Sequence, residues 1–338
     1  MAVPIPNGLR IHELLALLAD GRPRCGERLM RELELTREDL GAGIVQLRAW
    51  GVRIRDLRHG GYRLSKPVEL LDAGRMRAAL RTASELKLRN LELMFAVDST
   101  NTRLLGQPPP PAGRTDACLS EFQRAGRGRR GRRWIAPFGD CIALSIGWAL
   151  RDAGRPDPVL CLAAGVAICR ALERVGARAV GLKWPNDLWW ADRKIGGILL
   201  ETRGEGGAGG RIVLGVGLNV ALTPDARREI EESGVRAAAV ADACGRAVSR
   251  NQLAGALLDE LLSMLGQFER QGFAAFRAAW SALDALRDRP VRALAGDSAM
   301  IGTARGVDAD GALLLENAGR IHRVISGEVS VRLTEGVC

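Results

Sequence analysis

The sequence lacks the segments and motifs of several common protein classes. No apolar run is long enough to cross a bilayer, and residues 1–10 lack the charged start and apolar stretch of a signal peptide. The seven cysteines form no C-x-x-C pair and only three histidines are present, which disfavours disulfide frameworks and zinc sites. There is no G-x-x-x-x-G-K-[ST] motif, and no G-x-G-x-x-G lies at a predicted strand–helix turn. These absences predict a cytoplasmic protein with free thiols and no P-loop or Rossmann nucleotide site.

The sequence has an excess of positive charge. Lys and Arg number 49 against 39 Asp and Glu, so the formal net charge is +10 at pH 7. Such a balance favours anionic partners, namely nucleotides, nucleic acid or acidic protein. The positive charge is spread along much of the chain, so a genome-wide preference for arginine is an equally good explanation. A length of 338 residues with 47% hydrophobic residues predicts two or three domains.

The amino-terminal part has the pattern of a winged helix-turn-helix. Apolar residues spaced for one helix face occupy residues 10–19, and a second short helix is predicted over 26–34. Thr36 is a good N-cap for a third helix that runs to Trp50. A β-hairpin around Gly60-Gly61 follows. Three helices and a hairpin predict this module over residues 1–66.

The rest of the chain predicts a connector and two further domains. Residues 67–90 are typical of a helical connector, and residues 91–286 mix strands and helices in a way that favours an α+β domain with a largely antiparallel sheet. From residue 287 to residue 338, short alternating segments separated by turns indicate a small β-barrel.

One stretch stands out for its composition. Between Arg124 and Trp134 lie six arginines and three glycines, directly after Gln123. Arginine grips carboxylate and phosphate oxygens, and glycine lets the backbone approach a ligand. We call residues 123–134 the Arg–Gly loop and predict that it binds an anion. Composition alone favours a solvated basic loop or an RNA-binding segment over a catalytic one.

Three further stretches change that balance. Asp98-Ser99-Thr100-Asn101 follows a predicted strand, where these polar residues could cap a helix. Lys183-Trp184-Pro185-Asn186-Asp187-Leu188 concentrates polar and aromatic groups after an apolar strand. In Lys194-Ile195-Gly196-Gly197-Ile198-Leu199-Leu200-Glu201, a lysine and two glycines begin an apolar strand. Each stretch alone is a weak signal, but their order and combination are specific.

Together these stretches resemble the biotin protein ligase family. The Arg–Gly loop is similar to the family's biotin- and adenylate-binding loop, and residues 183–188 and 194–201 resemble its K-W-P-N-D-L and K-[LIV]-[GA]-G-[IV]-L-x-E motifs. Residues 215–220 resemble its G-[IV]-G-[ILV]-N. The resemblance runs in register from Leu14 to Leu333 and is strongest for the bifunctional members, which also repress biotin genes. It implies a class II aminoacyl-tRNA synthetase-like ligase domain and an SH3-like barrel.

The resemblance also implies roles for individual residues. The residues implied to surround biotin are Ser99, Thr100, Asn101, Gln123, Arg127, Gly128, Arg129, Lys194 and Gly197. The residues implied to surround ATP and the adenylate are Arg129, Arg132, Trp134, Lys183, Asn186 and Asn219. Arg129 and Lys194 are implied to be catalytic, and no protein-built metal site is implied. The family often covers the adenine with an aromatic residue, but residues 223–235 contain none, so Val235 is the nearest apolar candidate.

The implied reaction uses biotin and ATP, with Mg²⁺, to form biotinyl-5′-AMP. A lysine of a biotin carboxyl carrier protein, such as an acetyl-CoA carboxylase subunit, would then accept the biotinyl group. The implied assembly is a homodimer when adenylate is bound. No membrane association is expected.

The DNA-binding role of the amino-terminal module is left open by the sequence. Candidate contacts are Thr36, Arg37, Gln46, Arg53, Arg55 and Arg58. The module carries 12 Lys and Arg against 8 Asp and Glu, and Glu38 and Asp39 stand at the start of the predicted recognition helix. Operator binding and a DNA-silent supporting module are therefore both retained.

Two interpretations from other classes compete with the ligase. The first is a nucleic-acid-binding regulator that grips its ligand with the Arg–Gly loop. The second is a lipoate ligase, which shares the fold-level resemblance but lacks so arginine-rich a loop. A regulator has no use for residues 183–187 or 194–197 beside a small polar cluster, so the ligase is the favoured prediction.

Overall fold

A computed structural model describes residues 10–58, 60–149, 159–203, 210–295, 298–325 and 329–333. The prediction that no signal peptide is present falls on residues 1–10, of which residues 1–9 lie outside the described ranges. The predicted helix start at Pro158 and most of the turns predicted at 204–210 and 326–327 also lie outside them. No helix in the described ranges is both long enough and apolar enough to span a membrane.

The amino-terminal part contains the three helices and the hairpin that the sequence predicts. The elements are α1 (Ile11–Leu18), β1 (Arg24–Cys25), α2 (Gly26–Leu33), α3 (Arg37–Ala49), β2 (Ile54–Leu57) and β3 (Gly61–Leu64), with sheet order β1-β3-β2. Thr36 caps α3 as predicted, because its hydroxyl accepts from the Asp39 backbone N–H. Asp39 in turn accepts from the Thr36 backbone N–H at 3.1 Å. The Asp39 carboxylate therefore stabilises the start of α3.

The connector consists of two short helices and is held by buried polar contacts. Helices α4 (Ala73–Ala78) and α5 (Thr82–Lys87) precede strand β4 (Leu88–Val97), which begins three residues before the predicted start at Leu91. The Arg250 guanidinium donates to Glu121 at 2.7 Å and to the Glu69 carbonyl at 2.8 Å. The hydrogen bond to Glu69 fixes the start of the connector to the long helix that carries Arg250, and the ion pair joins the same helix to Glu121 of the central domain.

A seven-stranded mixed sheet forms the centre of the molecule, in the order β4-β5-β6-β10-β9-β8-β7. Its remaining strands are β5 (Thr115–Gln123), β6 (Cys141–Ala149), β7 (Gly181–Lys183), β8 (Asp187–Trp190), β9 (Arg193–Arg203) and β10 (Arg211–Asn219). The β4–β5 pair is parallel and the other pairs are antiparallel. The predicted α+β class with a largely antiparallel sheet is confirmed.

Helices cover both faces of this sheet. They are α6 (Thr100–Leu105), α7 (Leu160–Arg174), α8 (Pro224–Glu231), α9 (Val240–Cys244), α10 (Arg250–Gln271) and α11 (Ala274–Leu283). Helices α7 and α10 each contribute more buried apolar side chains to the main core than any other helix. The sequence did not predict α8, α9 or β8, because these elements are too short to show a clear apolar period.

The carboxy-terminal part is a small antiparallel sheet. Its strands are β11 (Pro290–Ala295), β12 (Ser298–Val307), β13 (Leu313–Asn317), β14 (Arg320–Val324) and β15 (Val329–Leu333), in the order β14-β13-β12-β11-β15. The buried Trp184 indole donates to the Gly311 carbonyl at 3.0 Å. This hydrogen bond ties the sheet to the segment that leads into β8.

An aromatic cluster joins the amino-terminal module to the central sheet. Trp50, at the end of α3, lies 5.2 Å from Phe95 and 6.0 Å from Phe122 between ring centroids. Phe138 belongs to the same apolar cluster, and Lys66 pairs with Asp140 at 2.5 Å. The module is therefore packed against strands β4 and β5 close to the point where the Arg–Gly loop begins.

We predict that Trp50→Ala detaches this module. Trp50 is 5% exposed, so truncation leaves a cavity between the two parts and costs about 3–5 kcal/mol. Thermal unfolding by circular dichroism, with limited proteolysis of segment 65–72, measures the loss. The control Val45→Ala, at a position 62% exposed, should stay within about 0.5 kcal/mol. Equal stability of the two variants would contradict the proposed packing role.

Candidate active site

A row of small residues crosses the central sheet and leaves room above it. Ser120 lies opposite Ala143, Ala143 opposite Gly217, and Gly217 opposite Gly197. A Cβ atom at Gly217 would lie 2.6 Å from the Trp134 ring, and one at Gly197 would lie 3.3 Å from the Lys194 Nζ. The two glycines, which belong to separate sequence motifs, therefore allow these side chains to lie directly on the strands.

The Arg–Gly loop is folded into a short hairpin by its own backbone. Trp134 N donates to Gly126 O at 2.9 Å, and Gly128 N donates to Arg132 O at 2.7 Å. At the tip, Arg130 has a φ of 59° and is followed by Gly131 at 69°. The loop is therefore not an open RG segment. The Gly128 amide is used within the loop, while the expected contact of this stretch of backbone with biotin stays a prediction.

The two predicted catalytic cations meet at consecutive residues. Arg129 Nη1 donates to Asn186 Oδ1 at 3.2 Å, and Lys194 Nζ lies 2.6 Å from Asp187 Oδ1. Burial lowers the pKa of Arg129, although a guanidinium keeps its proton in proteins. The structure therefore brings Arg129 and Lys194 to the start of β8 from two distant parts of the chain.

Asn186 and Lys194 are themselves held by hydrogen bonds to neighbouring backbone. Asn186 Nδ2 donates to Ile198 O at 2.7 Å. The backbone of Lys194 accepts from Ala238 N at 2.9 Å and donates to Arg236 O at 2.8 Å. Lys194 Nζ lies 5.9 Å from the Trp134 ring centroid. This support fixes the direction in which each side chain points.

Lys183 lies on the same side of the site. It is opposite Asp187 in the β7–β8 pair, and its Nζ lies 4.3 Å from the Trp189 ring centroid. Burial, together with the positive charge of Lys194 and of Arg332 from β15, lowers the pKa of Lys183 to about 8, while Asp187 opposes the shift. This lysine is therefore partly deprotonated at mildly alkaline pH.

The residues implied for biotin form a second group around the start of α6. Thr100 donates to Gln123 Oε1 through its backbone N–H at 2.9 Å and its hydroxyl at 3.2 Å. Ser145 Oγ, from β6, lies 2.7 Å from Thr100 Oγ1. Ser99 is 4% exposed and occupies the N-cap position of α6, as the sequence suggests, but its side chain makes no cap hydrogen bond.

Asn101 and Arg127 share a partner that the sequence reasoning did not assign. Asn101 Nδ2 donates to Glu201 Oε2 at 2.7 Å, and Arg127 Nη2 donates to the same oxygen at 3.0 Å. Asn101 Oδ1 is 2.5 Å from Ser145 Oγ. Glu201 is the last residue of the K-I-G-G-I-L-L-E motif, so the motif was a sequence signal that Glu201 belongs to the site. Ser145 lies in an apolar strand and gave no signal.

Two buried polar atoms lie on the side implied for the nucleotide. Trp134 Nε1 and Asn219 Oδ1 have no hydrogen-bond partner among the described residues, while Asn219 Nδ2 donates to Ala238 O at 3.1 Å. Buried polar atoms nearly always have partners. Arg132 is exposed nearby in the chain. Within residues 223–235, α8 occupies residues 224–231, and Val235, the expected adenine cover, lies half-buried after it.

The predicted DNA-contacting residues lie on the amino-terminal module, outside this site. Arg37, Arg55 and Arg58 are exposed, and Gln46 is half-buried. The Thr36 hydroxyl is occupied in the α3 cap. Arg53 lies 3.3 Å from Asp225 of α8, so this arginine contacts the central domain.

No group of three or more His, Cys, Asp or Glu side chains in the part of the chain that the structure describes could hold a metal ion. A divalent cation at this site would depend on oxygen atoms supplied by a ligand. The side chains described above are cationic, amide or hydroxyl groups around Asp187 and Glu201.

Known proteins resemble this chain in sequence and in fold. Residues 94–219 match the Biotin/lipoate A/B protein ligase family, and residues 288–332 match the Biotin protein ligase C terminal domain. The solved biotin protein ligase from Aquifex aeolicus, in complex with biotin and ATP, aligns with a TM-score of 0.62 at 26% identity. The alignment covers 73% of this chain and 100% of that one.

Two curated relatives extend the match. The biotin–[acetyl-CoA-carboxylase] ligase of Paracoccus denitrificans is 33% identical over 68% of this chain and 95% of its own length. The bifunctional ligase/repressor BirA of Salmonella typhimurium is 38% identical over 95% of this chain and 97% of its own length. Because that match includes the amino-terminal module as well as the ligase domain, the chain belongs to the biotin protein ligase family, in its bifunctional ligase/repressor branch.

Proposed function

We propose that this ligase activates biotin with ATP to biotinyl-5′-AMP and transfers the biotinyl group to a lysine of a biotin carboxyl carrier domain. The observation that carries the proposal is the pairing of Arg129 with Asn186 and of Lys194 with Asp187 beside the small-residue row. Two fixed cations at one point suit a reaction in which two anions must meet.

In the first step, a biotin carboxylate oxygen attacks the α-phosphorus of ATP and pyrophosphate leaves. Both reactants are anionic, so their approach is unfavourable without fixed positive charge. Arg129 and Lys194 supply that charge at the carboxylate and the α-phosphate, already oriented by Asn186 and Asp187. Preorganised charge of this kind stabilises the transition state without reorganisation.

The remaining residues bind and orient the two reactants. Thr100 and Gln123 provide hydrogen-bonding groups for the ureido ring. Trp134 Nε1 and Asn219 Oδ1, which lack partners, are suited to the adenylate. Mg²⁺ would be held mainly by the ATP phosphates, where it would offset their charge, since the described residues offer no cluster of ligands for it.

In the second step, the neutral amine of the acceptor lysine attacks the carbonyl carbon of the mixed anhydride. A C–N bond forms, the C–O bond to phosphate breaks, and AMP leaves. Water competes with the amine, so the adenylate must be shielded until the acceptor arrives. The Arg–Gly loop, which includes Trp134, is suited to that shielding.

Lys194→Met and Arg129→Met should lower ATP–pyrophosphate exchange by at least about 100-fold, because each removes one charge from the reacting centre. Circular dichroism should show a retained fold. The matched control is Arg130→Met at the exposed loop tip, which should stay within about threefold. Near wild-type exchange in both test variants would exclude this assignment.

The pH dependence of ATP binding should report Lys183. Its pKa is about 8, so the ammonium form that attracts phosphate is lost as the pH rises through that value. The KM for ATP should therefore increase about tenfold between about pH 7 and about pH 9. Lys183→Arg, which stays charged, should flatten this profile. An unchanged profile in that variant would remove Lys183 from phosphate binding.

A full-reaction assay separates the enzyme from the competing interpretations. Incubation with ATP, a carrier domain and either biotin or lipoate, followed by intact-mass measurement, should show modification of the carrier by biotin alone. Modification by lipoate would favour a lipoate ligase. No modification would favour a regulator.

We propose operator binding as a second function, supported by the nearly full-length likeness to a bifunctional ligase/repressor. The capped α3 and the exposed Arg37, Arg55 and Arg58 would contact the DNA. A homodimer formed by the adenylate-bound protein is part of this proposal, and sedimentation with and without biotin and ATP tests it.

A gel shift on the protein's own biotin-gene promoter, with biotin and ATP present, should give a salt-sensitive complex. Arg55→Ala should weaken it and reduce the slope of log affinity against log salt by about one, since one phosphate contact is lost. The control Arg277→Ala removes an exposed arginine from α11 and should change neither the affinity for the promoter nor its salt dependence. Absence of a salt-sensitive complex would leave a DNA-silent module.

A further inference from the structure

Glu201 connects two parts of the site that come from different regions of the chain. It lies on β9 four residues after Gly197, and residues two or four apart on a strand share a face. Its carboxylate accepts from Asn101 Nδ2 of α6 at 2.7 Å. Both of its oxygens lie 3.0 Å from Arg127 Nη2 of the Arg–Gly loop. One carboxylate thus holds a helix start and a loop together.

The two groups that Glu201 holds lead directly to the residues implied for biotin. Asn101 follows Thr100, which donates twice to Gln123 Oε1. Asn101 is also fixed on its other side by Ser145, at 2.5 Å. Arg127 precedes Gly128, whose amide closes the hairpin onto Arg132. A displacement of Glu201 would therefore reach both α6 and the loop.

The nucleotide side of the site has its own supports. Arg129 is held by Asn186, and Lys194 by Asp187. Neither contact involves Glu201. The side-chain contacts of Arg129 and Lys194 therefore remain when the contacts of Glu201 are lost, which makes the role of Glu201 distinguishable by kinetics.

We propose that Glu201 is a positioning residue for biotin, which fixes Arg127 and Asn101 at once and so holds the Arg–Gly loop beside the biotin subsite. The proposal rests on the proposed ligase function. Charge-assisted hydrogen bonds to two partners give the carboxylate a strength and direction that a neutral amide lacks.

The test is Glu201→Gln, which keeps the shape of the side chain and removes its charge. ATP–pyrophosphate exchange should show a KM for biotin raised about tenfold, which corresponds to about 1.4 kcal/mol. The KM for ATP and the kcat at saturating biotin should stay within about twofold. Glu201→Asp, which restores the charge, should recover part of the loss.

A double-mutant cycle asks whether Glu201 acts through Arg127. Arg127→Ala should also raise the KM for biotin, and the double variant should be little worse than either single one, because both remove the same contact. Should Glu201→Gln fail to fold, Arg127→Ala, at an exposed position, tests the contact alone.

The matched control is Glu92→Gln. Glu92, on β4, pairs at 2.6 Å with Arg103 of α6, the helix that also carries Asn101. The Glu92 side chain is 19% exposed, against 26% for Glu201. This variant loses a comparable ion pair away from the site and should leave the KM for biotin unchanged.

Several results would overturn the proposal. An unchanged KM for biotin in Glu201→Gln or in Arg127→Ala would do so. So would additive effects in the double variant, or a rise in the KM for both substrates together with a lower Tm, which indicates general destabilisation. Absence of exchange in the wild-type enzyme would instead refute the proposed function.

Discussion

In the proposed reaction, the mutual repulsion of two anionic substrates is the main physical constraint on the site. Positive charge must stand where the carboxylate and phosphate meet, yet free lysine and arginine side chains are mobile and repel one another. The two cations proposed for this task each have a fixed partner, Asn186 for Arg129 and Asp187 for Lys194. Because those partners are consecutive, the distance between the two cations is set by one short piece of backbone at the start of β8.

Several remote features serve to fix that piece of backbone. The Trp184 indole anchors it to Gly311 of the carboxy-terminal sheet. Asn186 is bonded to Ile198 of β9, and the Ala237–Ala238 segment pairs with Lys194. The carboxy-terminal sheet therefore contributes to the site indirectly, because it contacts the segment that leads to Asn186 and Asp187. Its Arg332 also adds positive charge near Lys183 and so helps to lower the pKa of that lysine.

The side proposed for biotin depends on a different principle. There polar side chains orient one another: Thr100 donates to Gln123, and Asn101 contacts Ser145 and Glu201. Such a network rigidifies the helix start and the loop and leaves the remaining hydrogen-bonding capacity of Thr100 and Gln123 for a ligand. The Asn101 amide lies over Gly215, and its expected contact with biotin stays a prediction.

The sequence by itself determined the α+β class and the motifs that contain the proposed site. It could do so because periodic apolar residues, the Thr36 cap and ordered motifs are local signals. The sequence could not reveal the roles of Ser145 and Glu201, the use of Arg53 against Asp225, or the short elements α8, α9 and β8. Only the tertiary structure decided which residues face each other, since that depends on the register of β5, β6, β10 and β9. A one-residue slip of β10 would turn Gly217 to the opposite face, and one of β9 would do the same to Glu201, so that the groups supplied by the motifs would be separated.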